Sequence, residues 1–429
     1  MKRRSFLGAV SVAAVAGLSG CTGGAPGGSS NTAPTSDAEA NSIRYLVEQP
    51  EDPADLEKLR THLEAYTGAN PGTTVKLEAM PSENMRTVLQ TQLRSGEGPD
   101  VFSWGSGPGY AGALAKAGLL FDLTPAYEQY KWPVYDFAKQ RVTFDGKTYG
   151  IPGEMETIGL FFNKKIFADQ GMQQPKTLGE LTAAAQKLKG AGLTPIAGAD
   201  QEGWPGGHML SMALGSRIGS KGVDALISGQ GSWNNPDVIA AIAQWKDWND
   251  AGLLGKSPTS HTTDGAAALF YSGDAAVLPT GSWAIPAIDK NAKFDVGYMP
   301  FPSESGPGVF TGGLGSGPFV SASSKKTEAA VKFLNFLASP EHGRWTVEQL
   351  KTIPAYPVDT SGVEASPLLA QVLKDTATFS SGAGDVGPNI DVLQSDRFND
   401  VMWDGMQAVL SGQQTPQEVA ESLDKAAKK

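Results

Sequence analysis

Two hydrophobic periods alternate along the chain beyond residue 42. Residues 42–47 read as a short strand. Val75, Leu77 and Ala79 alternate with Lys76 and Glu78, the period of two that a half-buried strand requires. Between these runs Leu56, Leu59, Leu63 and Tyr66 recur at helical spacing behind an Asp52-Pro53 cap. Met85, Val88, Leu89 and Leu93 mark a second helix that Gly96 stops, and residues 99–104 form a third strand running into a Gly-rich loop. Strand, helix, strand, helix, strand predicts a parallel sheet with helices packed on it. Ligands of such a sheet lie beyond the carboxyl ends of its strands. Those ends are Glu48-Gln49 and Ser103-Trp104-Gly105, which carry side chains suited to a polar, hydroxyl-rich ligand.

The alternation continues to the C-terminus. Asp145-Gly146 sits between two β-like runs as a hairpin signal. Residues 157–162 read as an apolar strand, and Thr177 and Glu180 form a capping box before Leu181, Ala185 and Leu188. A helix begins at Asn235-Pro236 and carries Ile239, Ile242, Trp245 and Trp248, so these two tryptophans read as core. Residues 275–278 and 294–299 are β-like, and Ala330, Phe333, Leu334 and Leu337 share one face of a helix over 327–337. No internal repeat of fixed period is visible.

The N-terminus has a different character. Lys2, Arg3 and Arg4 precede an uncharged run from Phe6 to Leu18 that is shorter than the roughly 20 residues a membrane-spanning helix needs. The pattern is that of a signal peptide over 1–20. Leu18-Ser19-Gly20-Cys21 resembles a bacterial lipobox, in which the cysteine is acylated and becomes the mature N-terminus. Arg3-Arg4-Ser5-Phe6-Leu7 also resembles a twin-arginine export signal, and the export route stays open between the general and twin-arginine pathways. From residue 22 to residue 42 the apolar side chains are alanines among Gly, Ser and Pro, so 21–42 is expected to be a lipidated cysteine and flexible tether. The expected location is the extracytoplasmic face of the bacterial cell membrane, lipid-anchored.

Composition narrows the function. With 429 residues, 40% apolar, the chain holds enough material for two or three domains. A formal charge of −10 without a Lys/Arg-rich run argues against nucleic-acid binding. Cys21 is the only cysteine, so there is no internal disulfide, and with four scattered histidines no metal site or cofactor is expected. The chain lacks HExxH, GxSxG, a Walker loop and CxxC. Gly107-Pro108-Gly109-Tyr110-Ala111-Gly112 matches GxGxxG, but it follows the third strand, and Pro108 lacks the N–H a pyrophosphate would need. Glu154 and Glu156, at i and i+2, could share one strand face and act as a glycosidase pair.

Aromatic residues in polar loops remain, with no nucleophile or metal, and that favours binding over catalysis. The C–H face of a sugar packs on indole while its hydroxyls need carboxylates and amides. Trp104, Trp204 and Trp283 each follow a β-like run in a Gly/Pro-rich loop, whereas Trp403 could be either core or site.

Several strings occur in a characteristic order: Gly98-Pro99-Asp100-Val101-Phe102, Ala117-Gly118-Leu119-Leu120, Tyr149-Gly150-Ile151-Pro152, Phe161-Phe162-Asn163-Lys164, Gly281-Ser282-Trp283, Gly312-Gly313, and the run from Lys325 to Leu334. In these the chain resembles the family 1 extracellular solute-binding proteins of carbohydrate ABC transporters. The resemblance implies an α/β, two-lobed, periplasmic-binding-protein-like fold. Each lobe is a mainly parallel sheet flanked by helices, and a hinged cleft lies between them. Lobe 1 is expected to comprise 43–152 plus 279–320, and lobe 2 153–278 plus 321–429. Hinge crossings are expected near 151–156, 276–279 and 318–321. The implied function is capture of a mono- or oligosaccharide by a monomeric receptor that delivers it to the permease subunits, without catalysis. Matched loops place Glu48, Trp104, Trp204, Trp283 and Gly313 at the site, with Gln49, Glu154 and His208 beside them. The alternatives are a membrane-anchored glycoside hydrolase and a receptor for a non-sugar solute.

Overall fold

The computed structural model describes residues 42–50, 52–306, 308–380, 385–391 and 393–428. Cys21, the signal peptide and the tether lie outside the described residues. Twelve strands are present among the described residues: β1 (Ser42–Glu48), β2 (Thr74–Met80), β3 (Val101–Trp104), β4 (Thr143–Phe144), β5 (Lys147–Thr148), β6 (Met155–Asn163), β7 (Thr194–Ile196), β8 (Ala275–Gly281), β9 (Val296–Met299), β10 (Phe310–Leu314), β11 (Gly317–Val320) and β12 (Val386–Pro388). They form two sheets and the small β4–β5 hairpin around Asp145-Gly146.

The first sheet has the order β11-β3-β1-β2. β1 runs parallel to β2 in register from Ser42↔Thr74 to Glu48↔Met80 and parallel to β3 on its other side, as the strand–helix–strand pattern predicts. β11 closes the far edge antiparallel to β3. The helix Pro53–Ala69 starts where the Asp52 side chain accepts the Ala54 N–H, and Leu63 and Tyr66 turn into the core. The helix Thr327–Leu337 buries its predicted face against the same core, where Phe333 and Leu334 meet Val101 and Val320. Asp100 serves this lobe structurally: it accepts the Arg44 N–H at 3.0 Å and the Ser324 hydroxyl at 2.7 Å.

The second sheet has the order β12-β10-β6-β8-β7, with β9 also paired to β6. Eight of the nine residues of β6 are buried because the sheet is covered on both faces, which explains its continuous apolar run. This sheet is mixed, unlike the mainly parallel one expected. β6 is antiparallel to β8, β9 and β10, whereas β7–β8 and β10–β12 are parallel. Trp245 and Trp248 are fully buried core residues, and their indole N–H groups donate to Met209 O at 2.7 Å and Thr182 Oγ1 at 3.1 Å.

Sheet membership differs from the expected division of the chain. β8, β9 and β10 belong to the second sheet, so most of 279–320 does not join the first, and only β11 returns there. The helix over 327–337, expected in lobe 2, packs on the first sheet. The segment 276–279 lies inside β8 and is no crossing; its β-branched and apolar residues signal a strand without revealing which sheet it joins. The chain crosses between the sheets at 150–155, at 314–317, and between 338 and 367, where Ile353 bridges to Met155.

The first two crossings run side by side. The Ile151 N–H donates to Pro318 O at 3.1 Å, and the Gly315 N–H to Glu154 O at 2.8 Å. Their backbones are too close for side chains: a Cβ at Gly153 would lie 2.3 Å from Gly315 O, and one at Gly317 would lie 2.1 Å from Ile151 O. Glycine is required here by close approach of backbone to backbone.

Candidate functional site

A cleft of about 1030 Å³ opens where the two sheets meet. The first sheet contributes Glu48 and Gln49 at the end of β1, and Trp104 and Gly105 at the end of β3, the carboxyl ends that the parallel topology points outward. The second sheet contributes Glu156 on β6, Trp204 and His208 on the helix Trp204–Ile227, and Trp283 on the turn after β8. Glu154, Gly315 and Ser316 come from the paired crossings. Every residue selected from sequence lines this cleft except Gly313. That glycine is held in the β10–β6 ladder opposite Glu156, and the glycine that faces the cleft is Gly315, two positions on.

Three aromatic rings form one corner of the cleft. The Trp204 centroid lies 4.9 Å from that of His208 and 6.3 Å from that of Trp283, with interplanar angles of 61° and 66°. Trp283 is half-buried, leaning on the core while lining the cleft. Gly281 makes room for it: a Cβ there would fall 1.9 Å from the indole ring. Gly281 has φ −110°, which any residue can adopt, so its role is close approach. Across the cleft Trp104 packs edge-on to Tyr110 at 6.1 Å. Trp403 takes both readings at once, packing on the second core and lining the cleft.

Carboxylates gather beside these rings. The Ser316 hydroxyl donates to Glu48 Oε1 at 2.6 Å. A Cβ on Gly315 would lie 2.7 Å from Glu154 Cδ and 2.8 Å from Glu156 Oε1, so both carboxyl groups pack over that glycine. Burial raises the pKa of both; Glu48 adds to the rise at Glu154, and Glu154, Asp391 and Glu48 add to it at Glu156, which is held well above the ordinary carboxylate range. His208 Nε2 stands 3.5 Å from Asp391 Oδ2, while Asp391 Oδ1 and the indole Nε1 of Trp104 are buried without a hydrogen-bond partner in the protein.

A raised folded-state pKa makes the native protein bind more protons than the unfolded chain. Stability therefore falls as pH rises from the unfolded carboxylate value through the folded one. Glu156→Gln removes that loss. The ligand-free variant is expected to melt at a higher temperature than the parent at neutral pH and to show a flatter pH–stability profile above about pH 4.5, which thermal denaturation across pH would measure. Equal profiles would contradict the assignment.

Several lining residues carry little or no signal in the sequence. Glu156 stands out there only through its i+2 relation to Glu154, as a possible catalytic partner. Asn389 and Asp391 follow a three-residue strand with no periodic signal, and Trp345 and Tyr356 reach the cleft from the third crossing. The GxGxxG loop is closed to a dinucleotide, because the Gly107 N–H donates to Arg141 O and the Gly112 N–H to Gly107 O. Among the described residues no three His, Cys, Asp or Glu side chains are placed to hold a metal ion.

The model of the bacterial extracellular solute-binding protein family matches residues 50–344. The chain belongs to that family. Among curated relatives, this solute-binding protein is 26% identical over 328 residues to the multiple sugar-binding protein of Streptococcus mutans, covering 75% of this chain and 76% of the relative. It is 28% identical over 353 residues to the diacetylchitobiose binding protein DasA of Streptomyces coelicolor, covering 79% and 76% of the two chains. Among solved structures, a chitin oligosaccharide binding protein superposes with a TM-score of 0.79 at 26% identity, over 90% of this chain and 98% of the other. These relatives are binding proteins, not enzymes. Among the described residues of this solute-binding protein no helix is long and apolar enough to cross a membrane.

Proposed function

We propose that this solute-binding protein is the extracytoplasmic carbohydrate receptor of an ABC importer, capturing a sugar between its lobes and presenting it to the permease. The observation that carries this reading is the pairing of indole surfaces with hydrogen-bonding groups that the protein leaves unused. Trp204 and Trp283 offer apolar faces to a pyranose ring, and the free Trp104 N–H and Asp391 Oδ1 await a hydroxyl acceptor and donor. The cleft volume of about 1030 Å³ leaves room for more than one sugar ring, which supports an oligosaccharide. Sugar-binding relatives of comparable length add to the reading.

Binding would work through the crossings. A ligand touching both lobes stabilises the arrangement in which they approach, because only that arrangement makes both sets of contacts. Calorimetry against a panel of mono- and oligosaccharides tests the assignment: a sugar bound at 100 times its Kd adds about 2.7 kcal/mol to stability. The same sugar should reduce the radius of gyration in small-angle scattering. A panel that yields neither binding nor stabilisation would contradict the carbohydrate reading, and binding with an unchanged scattering curve would contradict lobe closure.

The receptor is further proposed to act as a monomer held at the outer membrane face by acyl chains on Cys21, since hydrocarbon burial of two or more chains suffices for stable anchoring. Cys21→Ser is expected to move the protein from the membrane fraction into the medium. Unchanged retention of the variant would refute the anchor.

A further inference from the structure

The cleft is rich in carboxylates and poor in cations. Among the described residues lining it, Lys290 is the only lysine or arginine, and its Nζ is held by Asp52 Oδ2 at 3.0 Å, with 68% of the Lys290 side chain in solvent. Glu48, Glu154, Glu156 and Asp391 line the same space, and among the described residues no lysine or arginine pairs with them. Taking several carboxylates out of water without a cation is unfavourable, and proteins normally avoid it by pairing them. Here Glu154 and Glu156 converge on Gly315, and among the described residues no arginine lines the cleft to relieve them.

Asp391 adds a second observation. Its side chain is only 8% exposed and the residue lines the cleft, yet its Oδ1 has no hydrogen-bond partner in the protein. Its other oxygen has a histidine at 3.5 Å, too long for a firm hydrogen bond. The charge is not arranged for a metal, since no three of these groups, among the described residues, are placed to coordinate one. The Trp204–Trp283 corner lies in the same cleft, and an indole face attracts an organic cation as well as a sugar ring.

We propose that the ligand is a carbohydrate carrying a protonated amino group, a free-amine hexosamine oligosaccharide, whose ammonium sits among Glu154, Glu156 and Asp391 while a ring packs on the tryptophan corner. This rests on the carbohydrate reading above and names its ligand class. A neutral sugar would exchange hydroxyl hydrogen bonds with these carboxyl groups but would not offset the cost of ionising them in a buried site. An ammonium supplies both donors and charge.

Calorimetry on the whole protein would compare three matched β-linked oligosaccharides that bear an ammonium, an acetamide or a hydroxyl at carbon 2. The amine form is expected to bind at least about tenfold more tightly than either neutral form, a difference of about 1.4 kcal/mol, and the advantage should shrink as sodium chloride is raised. Glu156→Gln and Asp391→Asn should each remove most of it, read as the ratio of amine to neutral affinity within the same variant, since both residues also hydrogen-bond to a neutral sugar. Melting curves would confirm that both variants fold, and either one alone suffices for the comparison. If a neutral form binds as tightly as the amine, or the amine keeps its advantage in both variants, the inference is overturned and the carbohydrate reading stands. If no carbohydrate in this or the wider panel binds, the carbohydrate reading falls and the inference falls with it.

Discussion

Trp283→Ala is expected to weaken carbohydrate binding about tenfold to a hundredfold, corresponding to the roughly 1–3 kcal/mol that burial of a large apolar side chain contributes. The indole lies directly over Gly281 and forms a corner with Trp204 and His208, so truncation removes the stacking surface and its neighbours' support together. The residue is half-buried and touches both cores of the second lobe, so some stability is also lost. Affinity and melting temperature must therefore be measured together. Gly281→Ala supplies an independent route to the same result, because its Cβ would displace the ring while keeping every tryptophan atom. A variant whose affinity per folded molecule is unchanged would show that Trp283 serves packing alone.

Gly317→Ala is expected to destabilise the protein by about 1–3 kcal/mol or more, the usual range for forcing atoms into a filled space. Its Cβ would meet Ile151 O at 2.1 Å, and the clash is with backbone, which cannot swing aside as a side chain would. Gly153→Ala should behave likewise, being 2.3 Å from Gly315 O. Gly313→Ala is the control: its Cβ would have its nearest neighbour at 3.7 Å, an ordinary contact, so little change is expected. Urea denaturation of the three variants checks this. If Gly313→Ala costs as much as Gly317→Ala, the close pairing of the crossings is not what demands glycine. Because the paired crossings join the lobes, the destabilised variants are also expected to bind sugar less tightly where they remain folded.

Where the signal was local, the sequence was enough. Strand and helix periods, the caps at Asp52 and Thr177, the Asp145-Gly146 hairpin and the buried faces of Trp245 and Trp248 all depend on neighbours within a few residues, and all appear in the structure. The carboxyl ends of β1 and β3 could be placed at the cleft because a parallel sheet exposes one end to the connections, and Glu48, Gln49 and Trp104 line it. Gly-rich loops after β-like runs similarly marked Trp204 and Trp283.

Tertiary structure alone decided which strands share a sheet. β8 and β11 carry similar apolar runs, yet one pairs with β6 and the other with β3, through contacts that span more than a hundred residues of chain. Nothing in a period of two distinguishes such partners, so the expected lobe boundaries fell in the wrong places, as did two hinge crossings: 276–279 lies inside β8 and 318–321 overlaps β11, the chain having crossed just before it. The same reason hid Asp391 and Asn389, whose segment has no periodicity and reaches the cleft only because β12 pairs with β10. Gly313 and Gly315 look equivalent in the sequence. Only the pairing of β10 with β6 holds the first in the ladder and leaves the second facing the cleft, where Glu154 and Glu156 close over it. Residue chemistry and local period are properties of the chain; which distant groups share a pocket, and so which carboxylates are left without a cation, follows from packing.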